Sequence, residues 1–95
     1  MNKMTDTEKE IRELLTKELR PELLEITDES HLHAGHMGAV PGVSTHFRIK
    51  VVSEKFEGLL PLKQHKLIYG ILKEQLDGPV HALALQTIKK SKWQA

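Results

Sequence analysis

His46-Phe47-Arg48-Ile49-Lys50-Val51 alternates polar and apolar side chains over residues 46–51 without a break. A period of two is the mark of a half-buried strand, with Phe47, Ile49 and Val51 toward a core and His46, Arg48 and Lys50 toward water. A strand that is apolar on one side only calls for a packed layer on that side, and helices can supply it. Downstream, after Gly58 and Pro61, Leu62, Tyr69, Leu72 and Leu76 recur at helical spacing with Ile68 beside them, and Gly78-Pro79 ends the helix. Val80 to Thr87 reads as a third strand, and Lys89 to Gln94 as a short terminal helix that docks Trp93. Upstream, Leu24, Ile26 and Asp28 alternate with Leu23, Glu25 and Thr27 as a first strand.

The N-terminal stretch opens with Thr5-Asp6-Thr7-Glu8, which has the form of a capping box. Ile11, Leu14, Leu15 and Leu19 continue it as an amphipathic helix. Pro21 stops that helix, because it lacks a donor and pushes Arg20 out of the α region. Residues 30–44 hold Gly35, Gly38, Pro41 and Gly42 without periodicity, which predicts a long mobile loop. The expected order is α-β-β-α-β-α, an α+β domain over residues 1–95 with helices on one face of a three-stranded sheet. Its core is expected from Phe47, Ile49, Val51, Leu72, Leu76, Leu83 and Leu85.

With 95 residues the chain fits one domain with a thin core. Its 14 Lys plus Arg against 13 Asp plus Glu give no bulk charge to hold a nucleic acid or a membrane. Cysteine is absent, so the chain supplies no thiolate and no disulfide. No apolar run spans a bilayer, and Met1 to Lys9 lacks the apolar core of a secretory signal. A cytoplasmic protein with no membrane partner is the expectation. Cysteine nucleophiles, nucleophile-elbow serines and phosphate-binding loops are all missing, so no enzyme is expected.

Histidine is the unusual entry, with six residues, three of them in His31-Leu32-His33-Ala34-Gly35-His36. A glycine-bearing loop can bring imidazoles to a metal, but solvated histidines without a role account for it equally well, and no His-x-x-x-His spacing is present. His81 opens the third strand. Parity places it with Leu83 and Leu85 as a hydrogen-bonded core histidine, while its position at the strand mouth would let it face the loop. His65 continues the helical stripe and reads as structural, and His46 reads as exposed. Lys63, Lys66 and Lys73 share one helix face, with Lys55 just before it; Lys89, Lys90 and Lys92 form a second cluster beside Trp93. Each is a solvated surface or a phosphate-contacting one. Gly35-His36-Met37-Gly38 matches Gly-x-x-Gly, but it lies between strands, whereas the nucleic-acid clamp of that form joins two helices.

Several ordered motifs resemble the BolA family over nearly the whole chain: Asp28-Glu29-Ser30, Thr45-His46-Phe47, Val51-Val52-Ser53, Phe56-Glu57-Gly58, the helix around His65, Val80-His81-Ala82-Leu83-Ala84, and Trp93. Residues 1–20 match in pattern only. The resemblance implies a KH-like fold and a monothiol glutaredoxin partner. It implies a [2Fe-2S] cluster held by the glutaredoxin cysteine, a glutathione thiolate and two side chains of the BolA-like protein. Carried over, those side chains are His81 and either His33 or His36. Histidine replacing cysteine at one iron suits a chain without thiols. Some members are credited with DNA binding and regulation. For that activity Lys63, Lys66 and Lys73 are the candidate contacts and DNA the second candidate partner. The family's Arg-His-Arg reads Gln64-His65-Lys66 here, which is expected to weaken it. Alone, the protein is expected as a monomer or weak homodimer.

Overall fold

A computed structural model describes residues 6–29, 46–78 and 80–93. Its elements are α1 (Asp6–Leu19), β1 (Leu23–Asp28), β2 (His46–Ser53), α2 (Pro61–Ile71), α3 (Lys73–Asp77) and β3 (Ala82–Lys89). Single 3-10 turns cover Glu54–Phe56 and Lys90–Lys92. The sheet order is β1-β2-β3, with β1 antiparallel and β3 parallel to β2. The expected α+β class and three-stranded sheet are therefore present.

The registers stack the inward residues into rungs. Asp28, Phe47 and Leu83 form one, Ile26, Ile49 and Leu85 the next, and Leu24, Val51 and Thr87 the last. Ile11, Leu15 and Leu19 of α1 and Ile68 and Leu72 of the α2 region close over them, joined by Phe56 and Val80. Phe47, Ile49, Val51 and Leu72 are fully buried as expected; Leu76, Leu83 and Leu85 are half-buried at the margin of that core. Ser53 ties the layers together, its hydroxyl donating to the Leu19 carbonyl at 2.7 Å. Arg20 leaves the helical region as Pro21 requires, but into the left-handed region, with φ of 44°. Its N–H still donates to the Thr16 carbonyl at 3.1 Å. Gly58 also has a positive φ, 78°, in the turn before α2.

Four expectations need correction. Leu62 and Tyr69 do not face the core: they are 65% and 42% exposed, and the buried positions are Gln64, Ile68, Leu72 and Gln75. A pattern reading puts glutamine outside, whereas here tertiary hydrogen bonds hold it inside. The second helix is two pieces, because Leu72 departs to φ −99°, ψ 21° between α2 and α3. The third strand begins at Ala82, since Val80 turns inward and its N–H is held by the Gln75 carbonyl at 3.0 Å. Lys90–Lys92 is only a 3-10 turn, with Trp93 half-buried after it. The capping residue Thr5 and the expected loop at 30–44 lie outside the described residues.

Candidate metal centre

The parallel pairing of β2 with β3 sets the site. It brings the first residues of both strands to one end of the sheet, with His46 opposite Ala82. His81, one residue before β3, is exposed there and is not a core histidine. It departs from the parity with Leu83 and Leu85 because the strand begins after it. His46 is half-buried rather than simply exposed, and its ring centroid lies 6.1 Å from that of His81, with the rings inclined at 71°. Sequence reasoning passed over His46. The available signal was topological: a helix joining two strands implies parallel pairing, and parallel strands start at the same end.

β1 ends at this same edge. The Glu29 N–H donates to the His46 carbonyl at 2.8 Å, so the chain leaves β1 and enters β2 at adjoining points. Arg48 is bound there to Glu29, Nε to Oε2 at 3.0 Å. His31, His33 and His36 lie outside the described residues. The β1 to β3 spacing is ~10 Å across two strand intervals. An exposed imidazole fixed by the start of a strand is a suitable nitrogen donor for an iron–sulfur cluster or a borderline metal ion, provided other donors come from elsewhere.

His65 is half-buried, and no described contact joins it to this end. Lys63, Lys66 and Lys73 are all exposed, and among the described residues none is ion-paired. They form a basic face interspersed with Leu62 and Tyr69. The C-terminal lysines differ: Lys90 pairs with Glu22 at 3.4 Å, and the Glu57 carboxylate accepts the Ser91 N–H and hydroxyl at 2.9 Å each. The Ser91 N–H bond, aided by the Ser91 hydroxyl and by Lys89 and Lys92, holds the Glu57 carboxyl below the usual range. Gln64 is not a surface position. Its side chain donates to the Leu59 carbonyl at 2.7 Å and accepts from the Thr87 hydroxyl at 2.5 Å. Its identity therefore says nothing about a missing cation on the exposed face, and the expected weakening of DNA contact loses that support.

Residues 15–92 match the family described as BolA, BolA-like protein. The chain belongs to the BolA-like family. It is 49% identical over 83 residues to BolA-like protein 1 of Bos taurus, covering 87% of this chain and 58% of that one. The chain thus spans under two thirds of that relative's length. A bacterial relative, the DNA-binding transcriptional regulator BolA of Vibrio cholerae, is 39% identical over 85 residues, covering 88% of this chain and 76% of its own. The solved structure of BolA1 from Arabidopsis thaliana superposes with a TM-score of 0.83 at 39% identity, covering 98% of this chain and all of that one. Among the described residues of this BolA-like chain, no helix is long and apolar enough to cross a membrane.

Proposed function

We propose that this BolA-like protein pairs with a monothiol glutaredoxin and lends histidine nitrogen to a shared [2Fe-2S] cluster, in cluster trafficking or iron homeostasis. The observation that supports this most is the exposed His81 at the sheet end where β1 leaves and β2 enters. Glu29 and His46, the described residues on either side of 30–45, meet at this end of the sheet. The chain has no cysteine, so the thiolates come from the partner cysteine and from glutathione. Bound, the cluster supplies one-electron and iron-transfer chemistry. The work of this chain is to present a nitrogen donor, His81, just before the start of β3.

The test is reconstitution of the heterodimer with iron, sulfide and glutathione, read by visible absorption and circular dichroism. His81→Ala removes or shortens the life of the chromophore, while a thermal melt shows the variant folded. His33→Ala and His36→Ala are milder, with His33→Ala the more damaging, because the two candidates stand three residues apart and each partly substitutes for the other. A normal spectrum and cluster lifetime in His81→Ala would sink the assignment.

A second reading is DNA binding through Lys63, Lys66 and Lys73. It is favoured by the exposure of all three and by the name of the Vibrio cholerae relative. Contacts of this kind lie mainly on phosphates, so they give salt-sensitive and weakly selective binding.

A further inference from the structure

We propose that His46 and His81 form a two-imidazole site for one divalent transition-metal ion of the Cu2+ and Zn2+ class, held by this chain without a partner. This goes beyond the shared cluster, since it requires neither glutaredoxin nor glutathione and adds His46 as a ligand. Two observations carry it. The ring centroids are 6.1 Å apart. Two imidazoles on one tetrahedral ion, at metal–nitrogen distances of about 2.0–2.1 Å, place their centroids roughly 5 Å apart. A closure of about 1 Å therefore completes the geometry, and side-chain rotation of the exposed His81 provides it.

The rings meet edge to face at 71°, so the exposed His81 ring must turn as well as approach to share an ion. The second observation is anchoring. His46 is the first residue of β2, its carbonyl is held by the Glu29 N–H, and the β2–β3 register fixes Ala82 opposite it. His46 thus starts from backbone that the sheet orders, and His81 stands one residue before β3, so little backbone freedom is lost on ligation. The nearby Glu29 carboxylate is engaged by Arg48 and does not compete. The remaining positions on the ion are left to water or to an incoming ligand. An ion bound here occupies the His81 nitrogen that the shared cluster would need, so ion and cluster exclude each other.

The test uses the whole chain alone, titrated with Zn2+ by calorimetry and followed by imidazole 15N resonances. One equivalent binds, and the His46 and His81 ring nitrogens shift together. His46→Gln and His81→Gln each weaken binding by roughly tenfold or more, while His65→Gln leaves it unchanged. Unchanged affinity in both His46→Gln and His81→Gln would assign the ion to residues 31–36 and overturn the proposal, as would movement of only one of the two rings. If His46→Gln fails to fold in a melt, the paired 15N shifts of the unaltered protein decide. Because no glutaredoxin is present, failure here leaves the cluster reading standing, and loss of the cluster in reconstitution leaves this one standing.

Discussion

Replacing Gln64 should weaken the protein more than any surface substitution on α2. Gln64 is 4% exposed and bridges two elements: its amide donates to the Leu59 carbonyl ahead of α2, and its carbonyl accepts from Thr87 on β3. Gln64→Met keeps the length and volume of the side chain and removes both bonds. Each net hydrogen bond is worth about 1 kcal/mol, and a stranded partly buried group costs about 1–3 kcal/mol. Leu59 and Thr87 are only half-buried and recover some hydration. The expected loss is therefore about 2 kcal/mol, a large share of the ~5–15 kcal/mol by which small domains are stable.

In a domain of this size about 1 kcal/mol moves the midpoint by ~4–8 °C, so a thermal melt should fall by ~8–16 °C. The cycle with Thr87→Val isolates the bond between them. Valine keeps the branched shape that a strand prefers, and the coupling should be about 1 kcal/mol. The control is Lys63→Met, one residue earlier on the exposed face, which should stay within ~0.5 kcal/mol. A Gln64→Met midpoint within ~3 °C of the parent, or a cycle additive within ~0.3 kcal/mol, would refute the reasoning.

Arg20→Gly should be neutral to stabilising by up to ~1 kcal/mol in denaturant titration, because the left-handed conformation at Arg20 costs a non-glycine residue ~1–2 kcal/mol while glycine costs some chain entropy; a clear loss would contradict it. Glu57 has a lowered native pKa, so its contribution is fully present above the ordinary value of 4.5 and is lost as pH falls through the native one. Glu57→Gln should therefore flatten the acid limb of a stability–pH curve below about 4.5, and an unchanged limb would exclude the Ser91 clasp as its source. On DNA, replacing Lys63, Lys66 or Lys73 by alanine should each reduce the log–log salt slope by about 1; unchanged slopes in all three would remove this face from consideration.

The parts of the fold legible in the sequence are those where one physical force sets the pattern. β2 was readable because every second residue from Phe47 to Val51 enters the core, and α1 because Ile11, Leu15 and Leu19 make a single apolar stripe. α2 was misread because two forces compete there. Leu62 and Tyr69 remain on the surface, while Gln64 is drawn inside by partners on Leu59 and Thr87 that no local pattern announces. The start of β3 was set too early for a similar reason: Val80 is apolar in sequence but is pinned to α3 through Gln75 instead of joining the ladder. His81 was identifiable as a candidate from its neighbours. Its exposure and its closeness to His46 depend on the parallel register, which is a tertiary fact.

That register is also what couples the core to the site. A slip of β3 by one residue would send Leu83 and Leu85 to the open face and bring Ala82 and Ala84 inward, a change that every rung against Phe47 and Ile49 opposes. The open face at these rungs carries Arg48, Lys50 and Gln86, so leucines turned that way would meet charge and water. The apolar rungs therefore fix, to within one residue, where β3 begins relative to β2. His46, the first residue of β2, and His81, one residue before β3, lie just beyond the Phe47–Leu83 rung. Their closeness thus follows from Phe47 standing opposite Leu83. Substitutions that keep the rungs should keep the two imidazoles together even when they alter every other surface of the molecule.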